Sequence, residues 1–160
     1  AGGKTTADVG LSESWNGTAW SEEADLNTAR RQVGSCGASQ TAVLIMSGMP
    51  SPKLVVEEWN GSAWTEVADV GATRYGGGGA GTTTSALFIG GAPGSKANES
   101  WNGSAWTEVG DLALYHDVAA SGGTGVIGIV AGGRGEVPIS TATEEWTVPQ
   151  TATNVTVDTA

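Results

Sequence analysis

Residues 57–70 read EEWNGSAWTEVADV, and nearly the same phrase stands at 13–26 (ESWNGTAWSEEADL) and at 99–112 (ESWNGSAWTEVGDL). A fourth copy opens as EEW at Glu144 and then breaks. The spacing is tight. Trp15, Trp59, Trp101 and Trp146 fall 44, 42 and 45 residues apart, and Trp20, Trp64 and Trp106 keep the same step. Other landmarks move in phase: Gly2-Gly3, Ser47-Gly48, Gly90-Gly91 and Gly132-Gly133; Asp25, Asp69 and Asp111; Arg30, Arg74 and His116. A unit of this size cannot bury its own apolar face, so it stacks against copies of itself.

Inside the phrase, two short apolar-polar runs flank Asn-Gly, a strong hairpin signal because both residues tolerate positive φ. The turn is either the two residues Asn-Gly or the four residues N-G-S-A. In the longer version Trp59 and Trp64 face each other across the hairpin. Upstream of each glycine doublet lie the apolar runs 41–47 (TAVLIMS), 85–89 (SALFI) and 125–131 (GVIGIVA), which read as strands buried on both faces. Before each of these comes a Gly-rich segment, 32–39, 75–81 and 117–123, whose small residues let backbones crowd together. No window sustains the i, i+3, i+4, i+7 apolar pattern of an amphipathic helix.

Each full unit therefore holds four short strands: one Gly-rich, one apolar, one carrying the first Trp and one the second. Units of about 40–50 residues with four strands are the signature of β-propeller blades. Two whole blades are expected at roughly 32–69 and 74–111. The chain opens at the end of an apolar strand, and its last unit stops after the first Trp strand at Trp146. The fold class is all-β, about three and a half propeller blades spanning 1–148, with 149–160 as a tail or linker. Propellers close with four to eight blades. The ring is therefore expected to be completed by another chain or by further residues, two copies giving six or seven blades. Ala1, without a methionine and inside a repeat landmark, fits processing, truncation or a piece of a longer polypeptide.

These residues resemble the kelch repeat: an apolar strand ending in a glycine doublet, then an aromatic, then a Trp about six residues on, with an Arg opening the next unit. Gly90, Gly91, Trp101, Trp106 and Arg74 occupy those places. Gly48, Gly132, Gly133, Trp15, Trp59, Trp146 and Arg30 follow in the other copies. Trp stands where the family usually has Tyr at 15, 59 and 101. Ser47 replaces one doublet Gly, and His116 replaces the last Arg. The wording of the phrase is similar to kelch-like virion structural proteins of tailed bacteriophages. That resemblance implies a place on the particle exterior, as fibre, spike or decoration, or on another extracellular surface.

Composition limits the chemistry. With 17 acidic against 7 basic residues the net charge is −10, so no basic surface is offered to nucleic acid, and an anionic membrane would repel the chain. No apolar run approaches the roughly 18 residues of a membrane span. Cys36 is the single cysteine, within GSCGAS, and reads as a small buried hydrophobe. His116 is the single histidine, which leaves one candidate for any Ser-His-Asp triad and too few ligands for a copper-radical site. Its repeat position favours a packing or hydrogen-bonding role.

The acidic pairs Glu22-Glu23, Glu57-Glu58 and Glu144-Glu145 place neighbours on opposite strand faces, so they do not converge as a glycosidase pair would. They read as strand-edge charges that discourage aggregation. Asp25, Asp69 and Asp111 lack clustered calcium-loop spacing and read as turn or capping residues. Of five sequons, at Asn16, Asn60, Asn98, Asn102 and Asn154, three are simply the Asn-Gly turn. No enzyme activity, cofactor or metal is expected. The expected partners are other protein chains, copies of this one included. Recognition falls to the variable loops 49–53, 92–97 and 134–139. The alternative is a repeat lectin, with sugars stacked on Trp20, Trp64 and Trp106 as candidate ligand-binding residues. Against it stands the reading of the Trp pairs as packing between blades.

Overall fold

The Asn-Gly phrase closes as the four-residue turn in all three copies. In the second, Asn60 N donates to the Ala63 carbonyl at 3.3 Å, and Asn60 Oδ1 accepts from the backbone N–H of Ser62 and of Ala63, each at 3.0 Å. Only the glycine uses positive φ, at 96°, 94° and 93° for Gly17, Gly61 and Gly103. Trp59 is thereby set opposite Trp64. Asn60→Ala removes the acceptor for two turn N–H groups and is expected to cost about 1 kcal/mol. A urea unfolding curve with an unshifted midpoint would contradict this.

The computed structural model describes residues 1–50, 54–134 and 140–147. It is all-β, and the described residues contain no helix. Strand β1 (Gly3–Lys4) pairs with β2 (Asp8–Val9), and β3 (Ser12–Trp15) with β4 (Trp20–Glu23). Two complete antiparallel sheets follow: β5 (Gly34–Ser39), β6 (Ala42–Met46), β7 (Val56–Trp59) and β8 (Trp64–Val67), then β9 (Gly78–Gly81), β10 (Ala86–Ile89), β11 (Asn98–Trp101) and β12 (Trp106–Val109). Among the described residues the last sheet has three strands: β13 (Ala120–Gly123), β14 (Ile127–Ala131) and β15 (Thr143–Thr147). Each sheet is ordered as the chain runs, a meander of four-stranded, blade-like units. The segment 149–160 and parts of the loops 49–53 and 134–139 lie outside the described residues.

The Gly-rich strands of successive sheets lie side by side, β5 against β9 and β9 against β13. Their missing side chains make this possible: a Cβ on Gly34 would stand 2.6 Å from the Phe88 ring. The glycine doublet stitches the units. Its first N–H donates within the unit, Gly2 to Leu11, Ser47 to Val55, Gly90 to Ala97 and Gly132 to Ala142. Its second donates to the next unit, Gly3 to Arg30, Gly48 to Arg74 and Gly91 to His116. Both positions have positive φ in every copy, 56° at Ser47 and 115° at Gly48 for example, hence the glycines. The opening residues thus occupy the doublet's place, as expected, although Gly3–Lys4 also forms its own short ladder with Asp8–Val9.

Cores lie between sheets. Leu44, Met46, Val56 and Val70 pack with Ala86, Phe88 and Trp101, while Leu87, Ile89 and Leu112 pack with Val130 and Trp146. Leu26, Ile45, Trp59 and Trp64 form the first of the series. Burial of the apolar strand on both faces holds for all of β10 and for the second half of β6. It fails for β14, which alternates, with Ile127 and Ile129 exposed. Ile129 stands in the register position of Leu44 and Leu87, which the following sheet covers, and among the described residues no sheet follows β15.

Candidate functional site

The repeated polar residues converge on the joints between units. Arg30 is fully buried and ion-pairs with Glu57 at 3.1 Å. It also donates to the carbonyls of Val55 (2.7 Å) and Ile45 (3.3 Å). Glu57 caps the segment arriving from the preceding unit, accepting from the backbone N–H of Asn27 (2.7 Å) and Thr28 (3.2 Å). The next unit repeats this: Arg74 pairs with Glu99 at 3.0 Å, lies 4.0 Å over the Phe88 ring and donates to the Phe88 carbonyl, and Glu99 accepts from Gly71 N–H.

In the last unit His116 stands in for the arginine. Its Nε2 lies 3.2 Å from Glu144 and its Nδ1 2.8 Å from the Gly132 carbonyl, while Glu144 accepts from Ala113 and Leu114 N–H. The two ring nitrogens thus face a backbone carbonyl and a carboxylate, the same two kinds of oxygen that the arginines meet in the earlier units. Burial pushes the arginines' pKa values down from the usual guanidinium range, and the paired carboxylates act against that shift.

This corrects the reading of the acidic pairs. Glu57 and Glu144 are buried joint residues, not edge charges; their neighbours Glu58 and Glu145 point to the opposite face and are half-buried and exposed. Asp25, Asp69 and Asp111 are exposed and make no side-chain hydrogen bond among the described residues, so the capping role falls to the buried glutamates instead. His116 has the hydrogen-bonding role its repeat position suggested. Asn98 is 1% exposed and donates to the Gly110 carbonyl, which closes that sequon to glycosylation. No group of three or more His, Cys, Asp or Glu able to hold a metal occurs among the described residues.

The tryptophans pair within each hairpin with ring centroids 5.6, 5.4 and 5.2 Å apart for 15/20, 59/64 and 101/106. Their environments differ. Trp59, Trp101 and Trp146 are buried between sheets, and Trp64 reaches back to the preceding unit, Nε1 donating to Ser12 Oγ at 3.1 Å. Trp106 is half-buried. Trp15 and Trp20, at the same repeat positions, are 44% and 65% exposed. Of the three candidate ligand-binding tryptophans, only Trp20 presents an open face. Ser12→Ala leaves the buried Trp64 N–H unpaired, at an expected cost of about 1–3 kcal/mol, read from thermal unfolding. Unchanged stability would remove Ser12 from the joint.

Cys36 packs half-buried against the second core, and burial pushes its thiol up to about 12. At a given pH its thiolate population falls about a thousandfold relative to an ordinary thiol. Iodoacetamide is expected to label it only on unfolding; rapid labelling of the native protein would contradict its placement.

A cavity of about 290 Å³ opens between β3–β4 and the next sheet, lined by Trp15, Trp20, Val43, Ile45, Trp59 and Trp64 among others. Glu13, the first-unit counterpart of Glu57, is exposed. Among the described residues, Glu13, Trp15 and Trp20 are thus exposed at one end of the array and Ile127 and Ile129 at the other.

No known family model and no curated protein matches the chain. Among solved structures it is similar in fold to YjhT, with a TM-score of 0.70 at 17% identity, over 88% of this chain and 49% of that one. The chain thus spans about half the length of that structure.

Proposed function

We propose that the chain is a kelch-like β-propeller arc of about three and a half blades, completed by another chain or by further residues. It serves as a non-enzymatic structural and binding module on a virion exterior or another extracellular surface. One observation carries this reading. The repeated arginine, glutamate and first tryptophan of the complete units are buried where one sheet joins the next, whereas Glu13, Trp15 and Trp20 of the first hairpin and Ile127 and Ile129 of the last sheet are exposed. The fold likeness to 49% of a longer chain supports an arc. The phrase's similarity to phage virion proteins supports the exterior placement. Antibodies raised against the chain are expected to decorate intact particles of the source virus; decoration only after disruption overturns that placement.

A lectin reading keeps one supporting observation, the exposed Trp15–Trp20 pair. Sugar binding on a glycan array that is lost in Trp20→Ala, with an unchanged melting temperature, would establish it. An array without signal favours protein contact.

A further inference from the structure

The Asn-Gly turns do more than close hairpins: each gathers hydrogen-bond donors onto one side-chain oxygen. Asn60 Oδ1 accepts from the Ser62 N–H, the Ser62 hydroxyl and the Ala63 N–H, each at 3.0 Å. Asn102 Oδ1 does the same with the Ser104 N–H, the Ser104 hydroxyl and the Ala105 N–H, each at 2.9 Å. The first copy has the two backbone donors alone, Thr18 N–H at 2.9 Å and Ala19 N–H at 3.0 Å. The serine hydroxyl is therefore an addition that the turn itself does not require.

Three donors on one carbonyl oxygen polarise its carbon and stabilise negative charge that develops on the oxygen, the principle of an oxyanion hole. A nucleophile is adjacent in the chain. The Gly61 nitrogen follows the Asn60 carbonyl carbon, and its attack on Asn60 Cγ closes a five-membered ring. Glycine carries no side chain to obstruct that approach. Neither the Gly61 nor the Gly103 N–H makes a hydrogen bond among the described residues, and both turns are exposed to water.

We propose that Asn60 and Asn102 are self-modification sites that deamidate through a cyclic imide, with their own turns as the oxyanion hole. The Gly61 nitrogen bonds to Asn60 Cγ, and the electron pair of the carbonyl moves onto Oδ1. The proton of Gly61 passes through water to Nδ2, the carbonyl re-forms, and the Cγ–Nδ2 bond breaks to release ammonia. A second water opens the succinimide at one carbonyl or the other, giving aspartate or isoaspartate. Nothing is oxidised or reduced, and water is the co-reactant. Each event replaces a neutral amide with a carboxylate. The isoaspartate product also adds a carbon to the main chain, inside the turns that set Trp59 opposite Trp64 and Trp101 opposite Trp106.

The test is incubation of the native protein near neutral pH, followed by peptide mapping with mass spectrometry. Asn60 and Asn102 are expected to deamidate ahead of Asn16. Ser62→Ala is expected to slow Asn60 about fivefold, the rate equivalent of one lost hydrogen bond. Asn102 in the same molecule keeps its rate and serves as the internal clock. Ser62 is exposed, so the variant keeps the fold, and the melting temperature checks this. An unchanged Asn60 rate in folded Ser62→Ala overturns the proposal. So does Asn16 reacting first, or an Asn60 that stays intact in the native protein while the urea-unfolded chain deamidates.

Discussion

Arg74→Ala is expected to destabilise the protein by about 3–5 kcal/mol, because it strands the Glu99 carboxylate in a joint where the pair is 1% and 4% exposed. Loss of the Arg74 N–H donor to the Phe88 carbonyl and of its contact with the Phe88 ring adds to the effect. The double replacement Arg74→Met/Glu99→Leu removes both charges at similar volume, and it is expected to recover most of the loss. Chemical denaturation of the three proteins measures this. A single-variant cost below about 1 kcal/mol would mean the pair behaves as a surface ion pair, and the buried joint would be wrong.

Trp64→Ala is expected to cost about 3–5 kcal/mol, the range for truncating a large buried aromatic. Trp20→Ala, at the same position of the repeat, is expected to stay within about 0.5 kcal/mol. The difference is one of cover. Trp64 has Leu26 and Ser12 of the preceding unit over it, whereas Trp20 has no such cover among the described residues. Equal effects at the two sites would show that the first hairpin is covered in the folded protein or that the second is not.

Much of this architecture was legible in the sequence. The four strands per unit, the Asn-Gly hairpins and the crowded glycine strands follow from turn chemistry, apolar runs and the absence of side chains. The turn length was open between two and four residues; the opposed tryptophans and the Asn60 side-chain bonds decide for four. The joint was harder to see. Arg30 and Glu57 stand 27 residues apart in the chain, and no local pattern links them. A signal was present nonetheless. The glutamate two residues before the first Trp recurs in all four copies, at 13, 57, 99 and 144, while its neighbour varies between Ser and Glu. A charge kept in phase beside a position that changes is a mark of burial with a partner, and pairing the glutamates with the in-phase cations would have found it. The difference between β10 and β14 was not legible, because both read as apolar runs. Exposure depends on whether a following sheet is there, which composition does not encode.

The most direct test of the proposed arc is the mass of the protein in its native assembly. A particle larger than a single 16.0 kDa chain is expected, with Trp15, Trp20 and Ile129 protected from solvent within it. A stable, monodisperse 16.0 kDa monomer that keeps those residues exposed at all concentrations would contradict it.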